Sequence, residues 1–144
     1  MIPAKSQVST FKAVTTTREV RDGLIAHAYE DAPRECCGVL LGRGDEIIEA
    51  RRARNVAASA ATRFLIDPHD HIDARRQGRA RGLEILGFYH SHPHGSGVPS
   101  ATDLAEATYP GLYAIIGLRA DVPDVRVFDF AKGNFHERPL VTVG

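Results

Sequence analysis

The run Cys37-Gly38-Val39-Leu40-Leu41-Gly42, apolar throughout and closed by glycine, restricts the fold of this chain more than any other segment. It reads as a strand buried inside a sheet. Arg43-Gly44-Asp45 then supplies a hairpin turn into residues 46–54, where β-branched side chains continue the sheet. Further strands are expected over 8–14, 63–66, 83–89, 112–118 and 125–130, with a short one over 141–143. Thr16 and Glu19 have capping-box spacing. Val20, Leu24, Ile25 and Ala28 follow at helical spacing until Pro33, predicting a helix over about 17–31. A polar helix is expected over 68–82 and a short one over 100–108. The chain therefore reads as one α/β (α+β) domain over residues 1–144, with a mostly antiparallel or mixed β-sheet core flanked by helices.

Apolar residues make up 43% of the chain and charged residues 25%, the usage of an ordered globular protein. Lys+Arg and Asp+Glu are both 18, so no global field draws nucleic acid or an anionic membrane. Arginines nevertheless cluster locally, at Arg51, Arg52 and Arg54 and again at Arg75, Arg76, Arg79 and Arg81. Solvated surface is the first reading of such clusters, and docking of an acidic protein partner is the other. The opening Met-Ile-Pro-Ala-Lys-Ser lacks a secretory pattern, and no apolar run approaches the roughly 18 residues of a membrane span. Cys36 and Cys37 are adjacent, which disfavours a bridge, and they lack Cys-x-x-Cys spacing. Both read as small packing residues of a reduced, cytoplasmic protein.

His90-Ser91-His92 sits where a strand runs out into a segment rich in Gly, Pro, Ser and His, read as a loop over 90–99. In an extended chain, residues i and i+2 point the same way, so both imidazoles can reach one metal ion. Pro93 holds His92 extended. Asp103, eleven residues beyond His92, falls in the first turn of the next helix. Two histidines and one carboxylate leave one tetrahedral position open, the layout of a catalytic zinc. His69 and His71 share the i, i+2 spacing but start a helix, where such residues diverge; both read as surface residues.

Glu35, His90-Ser91-His92-Pro93 and Ser100-Ala101-Thr102-Asp103, with six residues between Pro93 and Ser100, resemble the JAMM motif of MPN+ metalloproteases. That motif runs Glu, His-x-His-Pro, a short insert, and Ser-x-x-Asp. Glu35-Cys36-Cys37-Gly38 likewise resembles the family's glutamate-bearing segment at the start of a strand. The resemblance implies a cytidine-deaminase-like JAMM/MPN fold and one zinc ion held by His90, His92 and Asp103. It makes Glu35 the base that takes a proton from water and returns it to the leaving amine. It also implies that the Ser100 hydroxyl supports the oxyanion, in competition with an N-cap role towards Asp103. Ser91 faces away from the histidines and reads as structural, and His94 as a surface residue.

Lacking the extra segments of eukaryotic members, the chain resembles the stand-alone bacterial branch. The expected partner is then a ubiquitin-like sulfur-carrier protein ending in Gly-Gly, from which cysteine is released or a tail trimmed. A metal-free scaffold of the same fold would have lost ligands, and none is missing. A DNA-associated relative with His-x-His-Pro-Ser-Gly is matched only loosely by Pro93-His94-Gly95-Ser96-Gly97. Nucleoside deaminases need Pro-Cys-x-x-Cys, and serine hydrolases a Gly-x-Ser-x-Gly elbow; neither occurs here.

Overall fold

A computed structural model describes residues 12–144. Strands are β1 (Val14–Thr17), β2 (Cys37–Arg43), β3 (Glu46–Ala53), β4 (Glu84–His92), β5 (Gly111–Gly117), β6 (Asp124–Ala131), β7 (Asn134–Arg138) and β8 (Leu140–Val143). Helices are α1 (Arg18–Asp31), α2 (Pro68–Ala80) and α3 (Ala101–Glu106). The strands form one mixed sheet in the order β7-β6-β5-β4-β2-β3-β1-β8. β2 is antiparallel to both its neighbours, whereas β4 and β5 run parallel. The buried run from Cys37 thus lies well inside the sheet, as its composition requires.

Alternation along the strands divides the core into two. Val14, Val20, Leu24, Ala28, Leu40 and Tyr89 pack with α1 on one face. Val39, Leu41, Ala74, Phe88 and Tyr113 pack beneath α2 on the other. In β4, Tyr89 therefore points to α1, while Phe88 and its i+2 and i+4 neighbours, His90 and His92, share the opposite face. Behind the histidines, the Tyr89 hydroxyl and His27 Nδ1 are hydrogen-bonded at 2.7 Å. Cys36 and Cys37 are free and fully buried, as expected of packing residues.

Several local expectations are corrected. Of the expected strand over 8–14, residues 8–11 lie outside the described residues, residues 12 and 13 are not in a strand, and β1 occupies Val14–Thr17. The cap of α1 is Thr17, whose side chain accepts the Val20 amide, and not Thr16. Thr16 faces inward from β1 and donates to the Ile47 carbonyl at 3.0 Å. No strand forms over 63–66; only Asn55 and Ile66 form an isolated bridge, because the segment arches over the sheet face. Strand β4 continues through His92, so the loop begins at Pro93. An unexpected strand, β7, follows a turn in which Lys132 and Gly133 both take positive φ.

Tyr89 fits because Gly38, its partner across β2 and β4, has no side chain. A Cβ there would lie 2.2 Å from Tyr89 Cε2 and 2.4 Å from the Arg51 carbonyl oxygen. Gly38→Ala is expected to destabilise the protein by about 1–3 kcal/mol. The measure is a lower denaturant midpoint at unchanged slope; a midpoint equal to the parent's would show that the strands separate freely.

Candidate metal centre

The pairing of β2 with β4 assembles the site. Cys37 stands opposite His90. Just before it, the Cys36 amide donates to Ser91 Oγ at 2.8 Å, and the Ser91 amide donates to the Cys36 carbonyl at 3.2 Å. Ser91 is thus the structural residue expected, and its bonds fix the chain immediately after Glu35. From the other side, the Glu35 amide donates to the Ala60 carbonyl at 2.7 Å.

His90 Nε2 lies 3.1 Å from Asp103 Oδ1, and His92 Nε2 lies 3.0 Å from Asp103 Oδ2. The two Nε2 atoms are 3.2 Å apart. His92 Nδ1 donates to the Ser96 carbonyl at 2.8 Å, so Nε2 is the nitrogen that faces the cluster, donating to Asp103 while protonated and free to bind a metal once that proton is lost. The Asp103 side chain is only 7% exposed and sits at the third position of α3. One atom from each of His90, His92 and Asp103 lies within 4.8 Å of the others, an arrangement able to hold a metal ion. Nitrogen and oxygen donors without a thiolate suit a borderline divalent cation.

The two carboxylates of the site are tuned in opposite directions. Burial raises the Glu35 carboxyl to about 7, with Asp103 and Glu106 adding to the rise and His92 opposing it. Glu35 is 5% exposed, and its Oε1 is buried without a partner. Burial also pushes Asp103 upward, but hydrogen bonds from His90 and His92 outweigh it and hold this carboxyl well below the usual range. Burial lowers His90; for His92 the same effect is overcome by Asp103 and the Ser96 carbonyl, and the net shift is upward.

Ser100 caps α3: its Oγ accepts the Asp103 amide at 3.0 Å, while Asp103 Oδ2 accepts the Ser100 amide at 2.9 Å. Accepting an amide occupies a lone pair and leaves the hydroxyl proton available. The two roles set in competition from the sequence are therefore compatible. His94 is exposed, as expected.

Two neighbours were not singled out by sequence, and a third, His71, was read as a surface residue. Asn55 organises the arch over 55–66: its Nδ2 donates to the carbonyls of Glu35 and Arg63, and its Oδ1 accepts the amides of Ala57 and Leu65. An asparagine directly after a strand is the available signal, since its side chain can replace backbone partners. Phe64, carried by that arch, stacks on His90 with centroids 4.4 Å apart. His71 is a correction: half-buried, it stands edge-on to Phe88 and, with Pro68, lines a cavity of about 570 Å³ that reaches His90 and Asp103. His69 is exposed, as read.

Ser91→Ala leaves the buried Cys36 amide without its acceptor and is expected to cost about 1–3 kcal/mol by chemical denaturation. For metal-free protein, the folded-state pKa of Glu35 exceeds its ordinary 4.5, so folding favours the protonated form. That stabilisation is complete below pH 4.5 and is lost as pH rises through about 7. Metal-free Glu35→Gln should accordingly match the parent near pH 4 and exceed it near pH 8, by up to roughly 3 kcal/mol. Parallel stability–pH curves for the two proteins would remove the burial argument.

Residues 17–131 match the family model described as prokaryotic homologs of the JAB domain. A desampylase of Haloferax volcanii is 35% identical over 113 residues, covering 74% of this chain and 81% of that protein. A probable TtuB-protein conjugate cleaving protease of Thermus thermophilus is 37% identical over 108 residues, covering 75% and 70%. The solution structure of a Desulfitobacterium hafniense protein superposes with a TM-score of 0.81 at 31% identity, covering 90% and 92%. The chain belongs to the prokaryotic branch of the JAB (JAMM/MPN+) domain family.

Proposed function

We propose that this protein is a zinc-dependent peptidase or isopeptidase that hydrolyses the amide bond after the C-terminal Gly-Gly of a ubiquitin-like sulfur-carrier protein. The observation that carries the reading is the convergence of His90, His92 and Asp103 within electrostatic reach of Glu35, a buried carboxyl whose Oε1 has no partner. His90, His92 and Asp103 would hold one zinc per chain. When bound, zinc supplies Lewis acidity, polarising the scissile carbonyl and making water a nucleophile near neutral pH.

The remaining roles belong to the chain itself. Glu35 takes the proton of the attacking water on a carboxylate oxygen and returns it to the leaving nitrogen; a pKa raised by burial suits both transfers. The hydroxyl proton of Ser100, not needed for the cap, is donated to the substrate carbonyl oxygen. Phe64 fixes the His90 ring by stacking and keeps water from that side. The adjoining cavity offers room for tail side chains, while a glycine pair admits the backbone close to the metal. The similarity to a desampylase of Haloferax volcanii and a probable TtuB-protein conjugate cleaving protease of Thermus thermophilus supports cleavage of protein conjugates.

The test uses a sulfur-carrier protein ending in Gly-Gly and extended by one residue, with mass spectrometry before and after incubation. Parent protein loaded with zinc should release the extension and bind about one metal per chain. Glu35→Gln should keep the metal and lose at least roughly 100-fold in turnover. His92→Ala should lose both metal and turnover. Turnover of Glu35→Gln equal to the parent's would remove Glu35 from the chemistry, and metal-free parent after zinc loading would end the zinc reading.

A further inference from the structure

The structure separates the two arginine clusters. In the first, every member is neutralised: Arg51 pairs with Asp73 at 3.2 Å, Arg52 with Glu30 at 3.0 Å, and Arg54 with Asp67 at 2.9 Å. Arg81, at the end of the second, pairs with Glu49. Arg75, Arg76 and Arg79 are different. All three are exposed and, among the described residues, have no carboxylate partner; the nearby Asp73 is engaged by Arg51.

With Ile72 they occupy positions i, i+3, i+4 and i+7 of α2, one continuous face. The opposite side of the helix buries Ala74 and Gly78. Ile72 is 59% exposed, an apolar residue set among cations. Helix stability does not account for this face. Arg79, in the last turn, complements the helix dipole, but Arg75 then stands one turn from a like charge, an unfavourable spacing.

Position is the second observation. Pro68 and His71, on the same helix, line the cavity that reaches His90 and Asp103, and Arg75 is near enough to His71 to act on its charge. The cationic face is therefore continuous with the wall of the route to the metal centre.

We propose that the face of α2 formed by Ile72, Arg75, Arg76 and Arg79 docks an acidic surface on the folded body of the ubiquitin-like substrate, whose tail then follows the cavity to the metal centre. The proposal rests on the function proposed above for its choice of occupant. Its charge logic selects a partner with several carboxylates around a small apolar spot. With the chain's total charge balanced, a general affinity for polyanions is not expected.

The experiment compares zinc-loaded parent with the triple variant Arg75→Glu/Arg76→Glu/Arg79→Glu on two substrates: an extended carrier protein and a synthetic peptide of its tail alone. KM for the carrier should rise by at least about tenfold with kcat unchanged, while the peptide is cut equally by both proteins. Added salt should weaken the parent's use of the carrier and not the variant's. An unchanged carrier KM overturns the proposal, as does an equal loss on the peptide, which would place the effect at the metal centre. Binding of carrier truncated before Gly-Gly, read by calorimetry, separates the two readings. Binding to the parent that the triple variant loses, without any cleavage, would keep the docking face and end the proposed activity. Cleavage without such binding would do the reverse. Duplex DNA bound by the parent and lost by the variant, at unchanged carrier KM, would assign the face to nucleic acid and overturn the proposal.

Discussion

The two hydrogen bonds between Cys36 and Ser91 are the constraint on which the site depends. They lock the entry of β2 to the exit of β4 at the level where Glu35 must meet the histidines. The Ser91 side chain lies on the side of β4 that faces away from the candidate metal centre, so the strand serves two purposes at once. Odd positions, Tyr89 and Ser91, hold the sheet together; even positions, His90 and His92, meet Asp103 in the candidate metal centre. A slip of one residue would turn both imidazoles into the α1 core and bring Tyr89 out. Gly38 guards against that slip from across the ladder, since only its bare Cα leaves space for the Tyr89 ring.

The same buried setting drives two carboxyl groups apart. Glu35 lies in a dry place without a hydrogen-bond partner for Oε1, and holds its proton towards neutrality. Asp103 is also largely enclosed, yet hydrogen bonds from two imidazoles and the Ser100 amide favour its anion. Separation of this kind assigns roles: one group fit to exchange a proton, the other fit to remain charged. The capping box of α3 is part of that division, because the helix start that orients Asp103 also supplies one of the donors that keep it ionised.

What the sequence made legible follows the range of the interactions. The grouping of His90, His92 and Asp103 was readable because strand alternation and a helix cap are local rules. The cap of α1 was misplaced by one residue because Thr16 is claimed by a distant partner, the Ile47 carbonyl. Residues 63–66 carry strand-like side chains, but Asn55 takes up the neighbouring backbone groups. Their apolar character is used to roof a cavity instead of to extend a ladder. His71 looked like a surface residue because its apolar neighbours, Phe88 and Tyr109, come from β4 and the segment after α3. Strand β7 lacks clear alternation and is set by the tight turn at Lys132 and Gly133.

With 18 acidic and 18 basic residues, the molecule has no monopole to gather partners from a distance. An unneutralised row of cations on α2 then requires excess negative charge elsewhere on the surface, which makes the protein a dipole. A dipole exerts torque more than pull, and in physiological salt its reach is about 8 Å. An arriving protein would feel almost nothing until it was nearly in contact. It would then be rotated before being held, so that the orientation of the encounter, more than its frequency, is what this surface controls.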